Sequence, residues 1–409
     1  MPSPRFFYGY VVVASSFVVM AMSSGTNYTF SVFFEPLQQN FGWGRAVTAG
    51  AVSAFLIGQG LFSVASGRLT DRFGPRPVVT VAGLLFGAGL VLMSRVTSLW
   101  QMYIAYGVLA AAGHSAVFTP LSSTVVRWFH SRRGLMTGVM MAGTGVGTMI
   151  MPLLANWLIY RTDWRTSYLV LSVVLMTTFV FSAQFLRGEP SQMGLQPYGS
   201  GRPAVEVKSP AVSLHGIAFS GAIRTRQFWL LCAAFAGFGY TQQSVMAHVV
   251  IHSRDLGLAP ASAAAIMAVV GGCNFAGRIC FGGLADRFGA KRLLTVALIA
   301  LSLSLFWLAF VRQHWQVYAF AVVFGFMYGG VVPQFSNRVA ELFGLRAHGA
   351  ILGVVVLCDA FGSGAGPVIT GLGYDLLKSY TIPFAICGGV AAVSALLSSI
   401  VKPVSAEVS

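Results

Sequence analysis

The chain has 409 residues, of which 56% are hydrophobic and 9% are charged, and its net charge is +15. A soluble domain carries about 25% charged residues, so the composition excludes a soluble globular protein and indicates a polytopic membrane protein. The positive charge does not indicate a nucleic-acid partner, because basic residues of membrane proteins collect in cytoplasmic loops.

Apolar segments recur along the whole chain and are separated by short clusters of charged, glycine, proline or other polar residues. Each segment is close to or longer than the roughly 20 residues that cross a bilayer core as a helix. The sequence therefore predicts an all-α protein with twelve transmembrane helices. In chain order the predicted spans are 6–34, 46–66, 77–95, 99–126, 134–160, 166–187, 227–251, 260–284, 292–311, 315–340, 348–373 and 381–401.

The loops between the predicted spans differ in charge. Eighteen basic residues lie in the loops and tails on the side of the N-terminus, and seven lie in the loops of the opposite side. Because loops rich in lysine and arginine stay in the cytoplasm, we expect both termini to be cytoplasmic. The first span follows Arg5 almost at once and is too long for the apolar core of a signal peptide, so we expect it to be retained.

One motif occurs twice along the chain. The segment GRLTDRFGPR begins at Gly67 and GGLADRFGAK begins at Gly282, so equivalent residues are 215 positions apart. A constant offset predicts two parallel structural repeats, here two six-helix bundles around a central cavity, which we assign to residues 1–187 and 227–409. The Gly-, Pro- and Ser-rich segment 188–226 is predicted to be a cytoplasmic linker. The same offset relates Asp71 to Asp286, Gly74 to Gly289, Gly134 to Gly349, Gly138 to Gly353 and Pro152 to Pro367.

The DRFG motif that ends spans 2 and 8 resembles the signature of the major facilitator superfamily. Its glycine suits the left-handed turn that ends a helix. Its aspartate, Asp71 or Asp286, can bind the N-terminus of a neighbouring helix or an arginine across the interface between the bundles. We predict that these aspartates, together with Arg72 and Arg287, form a conformational latch on the cytoplasmic side.

Two further segments resemble the signatures of one family within this superfamily. WFHSRRGLMTGVMMAG (128–143) is similar to the span-5 signature of the monocarboxylate transporter family, and RFFYGYVVVAS (5–15) is similar to its span-1 signature. The resemblance covers the whole twelve-span chain. It implies transport of a small monocarboxylate anion together with a proton by alternating access.

Ionisable residues are rare inside the predicted spans, where Arg278, Asp359 and, as a weaker third candidate, His114 stand out. A charge at bilayer depth is costly and normally faces a partner or a wet cavity. Arg278 keeps its charge, and its fork geometry suits a carboxylate. Asn274 lies one turn earlier on the same face and can donate to the same carboxylate. These residues predict an anion-binding site; a structural ion pair between Arg278 and Asp359 is the alternative.

The family resemblance bears on the same positions. The substrate-binding arginine of monocarboxylate transporters in span 8 matches Arg278, whereas the family's aspartate one turn earlier is Asn274 and its span-1 lysine is Tyr28. The sister branch of oxalate:formate exchangers has a span-11 lysine where this chain has Asp359. That replacement lowers the charge of the cavity and disfavours a dianion.

We therefore predict proton-coupled symport of a small monocarboxylate such as L-lactate or pyruvate. Asp359 is expected to balance Arg278 while the site is empty and to take up the proton when the substrate carboxylate occupies Arg278. Tyr28, Tyr328 and His114 are expected to line the cavity beside them.

Other functions stay open from the sequence. An organic-anion exchanger of the oxalate:formate type, or a non-transporting sensor built on the same fold, would show the same pattern of spans. We expect no enzyme, cofactor or metal, because the sequence shows no metal-ligand cluster, nucleophile–base pair or phosphate-binding glycine loop. The expected state is a monomer embedded in the lipid bilayer of a bacterial inner membrane.

Overall fold

The structure is a computed structural model that describes residues 7–199 and 216–402. Twelve long helical segments, numbered α1–α12 in chain order, account for most of this part of the chain, in which the only extended pairings are two isolated bridges. Their bounds are Gly9–Phe41, Arg45–Phe73, Pro75–Ser94, Leu99–Trp128, Arg133–Arg161, Trp164–Gln184, Arg226–Asp255, Pro260–Phe288, Ala290–Ala309, His314–Phe343, His348–Leu377 and Thr381–Ile400.

Eleven of these helices have the length and mean hydropathy of a membrane span in the described chain. The remaining helix, α7, has 30 residues, and its sequence includes the polar residues Gln242, Gln243 and His248. The helix ends agree with the predicted spans to within seven residues, and α1 and α2, which run on to Phe41 and Phe73, differ most. The prediction of an all-α polytopic membrane protein is confirmed.

Helices α1–α6 and α7–α12 form two bundles, each with its own apolar core. The buried side chains of the first core lie between Val12 and Leu186, and those of the second lie between Ala222 and Val401. The bundles meet where α2 packs against α11 and where α5 packs against α8. Each contact joins the second helix of one bundle to the fifth helix of the other, so the interface follows the repeat in the sequence.

Three helices are interrupted along their length. Helix α1 has a turn at Thr29, and α4 contains a π-helical stretch, Tyr103–Ala110, and a kink at Ala116. Helix α10 breaks before Pro333, because proline has no N–H to continue the helical ladder. Broken helices are tolerated at membrane depth where they face protein or a water-filled cavity. We therefore infer that these three breaks face the interior of the molecule and not the lipid.

The predicted linker 188–226 is described only in part, because residues 200–215 lie outside the described structure. Its first part pairs with the end of α4, where the Tyr198 N–H donates to the Trp128 carbonyl oxygen at 2.9 Å. Its last part contains the short helix Phe219–Ala222 and leads into α7. The assignment of this whole segment to a linker stays a prediction.

Candidate functional site

The two DRFG turns lie at the same end of the molecule, named the DRFG end below, and each contacts the opposite bundle. Asp71 accepts hydrogen bonds from the backbone N–H groups of Gly349 and the next residue, at 3.1 and 2.9 Å. Asp286 accepts from the N–H groups of Gly134 and the next residue, at 2.6 and 2.9 Å. Free N–H groups at a helix N-terminus bind carboxylates well, so both aspartates join the bundles.

The predicted latch arginines lie elsewhere. Arg72 and Arg287 are exposed, and each lies over the ring of the phenylalanine that follows it. Arg127 instead binds Asp71, with its Nη2 at 2.6 Å from Oδ1. Sequence reasoning did not identify Arg127, because a basic residue in the last turn of a helix is ordinary.

Glycine lets the helices cross in backbone contact at the DRFG end. A Cβ atom on Gly67 would collide with the carbonyl group of Gly349, and a Cβ atom on Gly282 would lie 2.5 Å from the carbonyl oxygen of Gly134. Small residues at such crossings let helix backbones approach closely in membranes. The DRFG end is therefore closed in this structure.

Beyond these crossings the bundles separate around two adjoining cavities. The inner chamber, nearer the DRFG end, has a volume of about 190 Å³, and the outer chamber has a volume of about 480 Å³. Met20 of α1 lines the inner chamber and Tyr28, two turns farther along, lines the outer one. Thr144, Arg278 and Tyr328 line both chambers, so they form the boundary between them.

Arg278 is only 5% exposed at this boundary. Its Nε donates to Asn274 Oδ1 at 2.9 Å, and its Nη1 donates to the carbonyl oxygen of Met141, in the other bundle, at 2.6 Å. Within the described residues no carboxylate lies within 4.0 Å of the guanidinium. Neutral oxygens alone hold a permanent cation here, and such a group attracts an anion.

Asp359 lies on α11 and lines the inner chamber together with Arg278. Its Oδ1 is buried and has no hydrogen-bond partner in the part of the chain that is described. Gly239 of α7 faces it, since a Cβ atom there would lie 2.8 Å from Oδ1. The structural ion pair between Arg278 and Asp359, the alternative to an anion-binding site, is not formed among the described residues, where the guanidinium donates to the Asn274 and Met141 oxygens. The expected charge balance between the two residues stays a prediction.

The other predicted site residues surround the same boundary. Asn274 is 7% exposed, and its Nδ2 has no partner among the described residues, which leaves a donor beside Arg278. Tyr28 lines the outer chamber, and Tyr328 lines both chambers. His114 lines the inner chamber, where its ring packs against two phenylalanine rings at centroid distances of 5.2 and 5.8 Å.

Four uncharged polar residues of the inner chamber were not predicted, namely Ser24, Gln59, Gln242 and Thr144. Gln59 stands 215 positions before Asn274, and Thr144 stands 215 positions before Asp359. Equivalent positions of two repeats around one axis face the same cavity. The repeat offset, applied to the predicted site residues, therefore identifies both.

Comparison with known proteins places the chain in a family. The sequence matches the profile of the Major Facilitator Superfamily over residues 16–282 and 240–408. Monocarboxylate transporter 3 of Rattus norvegicus is 30% identical over 392 residues, which cover 93% of this chain and 77% of that protein. The chain belongs to the monocarboxylate transporter family. This family member is also 27% identical to monocarboxylate transporter 13 of Bos taurus over 387 residues, 93% of this chain and 86% of that protein.

Solved structures share the fold of this monocarboxylate transporter homologue. The E. coli fucose:proton symporter FucP superposes with a TM-score of 0.75 at 16% identity, over 98% of this chain and 100% of that one. The human organic anion transporter MFSD10 superposes with a TM-score of 0.71 at 14% identity, over 97% of this chain and 100% of that one. Such identities show the fold alone. Family membership shows that the protein is a multi-pass membrane transporter and not an enzyme.

Proposed function

We propose that the protein carries a small monocarboxylate, such as L-lactate or pyruvate, together with a proton across the membrane by alternating access. The observation that carries this proposal is the buried guanidinium of Arg278, which lies between the two chambers and is bonded to neutral oxygens. One of these oxygens belongs to the opposite bundle, so a ligand at Arg278 contacts the interface that must rearrange.

A substrate carboxylate suits this position by charge and by geometry. A guanidinium group binds a carboxylate bidentately, and the unpartnered Nδ2 of Asn274 supplies a further donor on the same helix face. Tyr28 and Tyr328 add hydroxyl groups at the wall of the outer chamber. One cation with neutral donors matches the single charge of a monocarboxylate, whereas a dianion would bring an unbalanced charge into the cavity.

Asp359 is the group to which we assign the proton. Its buried Oδ1 lacks a donor in the described structure, and an uncompensated carboxylate at this depth is costly. Proton uptake removes that cost once the substrate carboxylate neutralises Arg278. The loaded cavity then carries no net charge and can reorient, which couples one proton to one monocarboxylate.

The closed DRFG end supports a direction of access. With the DRFG turns and both termini in the cytoplasm, as the loop charges favour, the outer chamber faces the outside of the cell. Asp71 and Asp286 then act as the latch that opens when the bundles rock. We assign the protein to a bacterial inner membrane, for which its short loops are typical, and expect it to work as a monomer.

Uptake of radiolabelled L-lactate into proteoliposomes tests the substrate site. An inward proton gradient should drive accumulation by the unmodified protein. Arg278→Ala removes a charged hydrogen-bond donor and should lower the uptake rate about a hundredfold, equivalent to about 3 kcal/mol. Arg95→Ala, which removes an exposed arginine after α3, is the control and should transport as the unmodified protein does. Unchanged uptake by Arg278→Ala would refute the assignment of the site.

The variant Asp359→Asn tests whether proton coupling can be lost while substrate exchange is kept. This variant should still exchange labelled for unlabelled L-lactate but should no longer accumulate it in response to a proton gradient. Asp375→Asn, at an exposed position on the same helix, is the matched control. Gradient-driven accumulation by Asp359→Asn would exclude Asp359 and make His114 the next candidate. Uptake that depends on an internal counter-anion instead of a proton gradient would favour the organic-anion exchanger.

A further inference from the structure

We propose that the preferred substrates are monocarboxylates with an apolar group of branched-chain or aromatic size, and that this group lies in the outer chamber while the carboxylate binds Arg278. The inference rests on the proposed function, because it takes Arg278 as the carboxylate-binding residue. It adds a specificity site, the wall of the outer chamber, to the site that binds the charge.

The chambers are larger than a three-carbon acid requires. A cavity of about 10–15 Å³ holds one water molecule, and L-lactate has six non-hydrogen atoms, so the inner chamber of about 190 Å³ already has room for such a molecule. The outer chamber adds about 480 Å³. Ligand sites bury most of the surface of their ligand, so a substrate that matches this cavity extends from Arg278 into the larger space.

The inner chamber suits polar groups better than the outer one does, because polar side chains form a larger share of its wall, which also contains apolar residues such as Phe118, Phe238 and Phe335. Gln59, Gln242 and Asp359 contribute side chains to it from three different helices. An apolar group placed there would cover these polar atoms and leave them without hydrogen-bond partners, which is costly. A substrate bound at Arg278 therefore directs a hydroxyl or keto oxygen inward and its apolar group outward.

The outer chamber suits apolar groups. Most of its polar side chains cluster at the boundary with Arg278, and the wall beyond contains one methionine from each of α5, α7 and α8, namely Met149, Met246 and Met267. Methionine side chains are flexible and polarizable, so they adapt to ligands of different shape and pack well against aromatic rings. This wall therefore fits an aryl or branched alkyl group.

Gly271 and Gly272 of α8 leave this wall open. Both line the outer chamber, and a Cβ atom added to either would have no other heavy atom within 4 Å. A Cβ atom therefore fits at either position, and the rest of a larger side chain would extend into the space that we assign to the apolar group. The two glycines provide a steric test that leaves the charged residues of the site unchanged.

The experiment compares uptake of L-lactate and L-3-phenyllactate, which share the 2-hydroxy acid group and differ by a phenyl ring, into proteoliposomes. The unmodified protein should prefer phenyllactate about tenfold in kcat/KM, since burial of a ring is worth at least that factor. Gly271→Leu should abolish this preference, and Gly272→Val should reduce it. Gly389→Leu, at an equally open glycine of α12, is the matched control and should keep it.

The outcomes separate this inference from the proposed function. Uptake of L-lactate with no preference for phenyllactate, or a preference that survives both Gly271→Leu and Gly272→Val, would overturn the inference and leave the proposed function intact. Failure of the unmodified protein to take up either acid would overturn both. Thermal unfolding in detergent identifies a Gly271→Leu protein that does not fold, and Gly272→Val then decides.

Discussion

The α2–α11 and α8–α5 contacts are equivalent by the 215-residue repeat, yet their side chains differ. In both, an aspartate accepts two backbone hydrogen bonds from the N-terminus of the opposite helix. Asp71 also binds Arg127, and the two side chains are 14% and 5% exposed. Asp286 is exposed, and the residue equivalent to Arg127 is Leu342, which cannot form an ion pair.

This difference assigns unequal roles to the two contacts. A buried ion pair depends strongly on its partner, because removing one member leaves an uncompensated charge. An exposed carboxylate is screened by water and salt. We therefore expect the α2–α11 contact to contribute more to closing the DRFG end, and the α8–α5 contact to loosen first.

The proposed substrate-binding residue, Arg278, lies on the contact that we expect to be the weaker one. Arg278 of α8 donates to the Met141 carbonyl oxygen of α5, 137 positions away in the sequence. The equivalent residue of the first repeat is Ser63, whose Oγ lies 2.8 Å from the Gly353 carbonyl oxygen and 2.6 Å from the Gly60 carbonyl oxygen of its own helix. A carboxylate that draws Arg278 away from Met141 would weaken the α8–α5 contact and leave the Ser63 contact unchanged. The proposed binding site is thus at a position where an occupant can alter the interface.

Substitution of each aspartate is expected to change the stability of the protein most and to separate the two contacts most clearly. Asp71→Ala leaves Arg127 buried without its carboxylate and should cost about 3–5 kcal/mol of stability. Asp286→Ala removes two hydrogen bonds at an exposed site and should cost about 1–2 kcal/mol. Thermal unfolding of the purified protein in detergent measures both, with the exposed Asp375→Ala as the control. Equal losses would show that the two contacts are energetically alike.

Alanine substitutions at the crossing glycines should have an intermediate effect. Gly67→Ala and Gly282→Ala each place a Cβ atom against a carbonyl group of the opposite helix, so both should cost about 1–3 kcal/mol by overpacking. The adjacent control is Gly283→Ala, whose Cβ would meet Leu135 Cδ1 at 3.6 Å. It should be neutral or stabilising, because alanine favours the helix.

The same unfolding assay of the glycine variants shows whether the difference between the α2–α11 and α8–α5 contacts arises from the side chains or from the backbone. Similar losses of stability for Gly67→Ala and Gly282→Ala, together with unequal losses for the two aspartate variants, would assign the difference to the side chains. A loss for Gly283→Ala as large as that for Gly282→Ala would contradict the role assigned to backbone contact.

The smallest expected effect concerns His348, which precedes Gly349 at the α2–α11 contact. Its Nδ1 lies 2.8 Å from Ser123 Oγ of the other bundle, and its Nε2 lies 2.9 Å from the Ser336 carbonyl oxygen. Ser123→Ala should cost about 1 kcal/mol in the unfolding assay. Ser122→Ala is the matched control, since this buried hydroxyl has no partner in the described structure. Equal losses of stability for the two variants would show that the contact between Ser123 and His348 does not stabilise the interface.

Much of the fold could be predicted because the length and apolarity of a span are local properties. Lipid requires about 20 apolar residues at every crossing, so the twelve spans follow from the order of residues, and their ends follow to within seven residues. The repeat was visible as a constant offset. Arg278 could be identified because a charge inside an apolar segment is rare and costly.

Residues without an unusual local context were missed. Arg127 resembles the other arginines at helix ends until α4 is packed beside Asp71. Gln59 and Gln242 are neutral, so their local sequence does not distinguish a cavity-lining glutamine from one that packs between helices, and only the repeat offset identifies Gln59. Arg72 and Arg287 belong to the motif that occurs in both repeats, but their exposed side chains lie over the phenylalanine rings that follow them, whereas the aspartate before each arginine binds the opposite bundle.

From the order of residues alone it follows that this is a membrane protein with two six-span repeats and an anion-binding candidate at Arg278. Helix packing was needed to show that Arg278 turns to Met141 and Asn274, that Asp359 lacks a direct partner in the described structure, and that two chambers of different chemistry meet between them. The physical reason is that hydropathy sums over neighbours in the chain. The partner of a buried charge instead depends on which helix faces converge, over separations of more than a hundred residues.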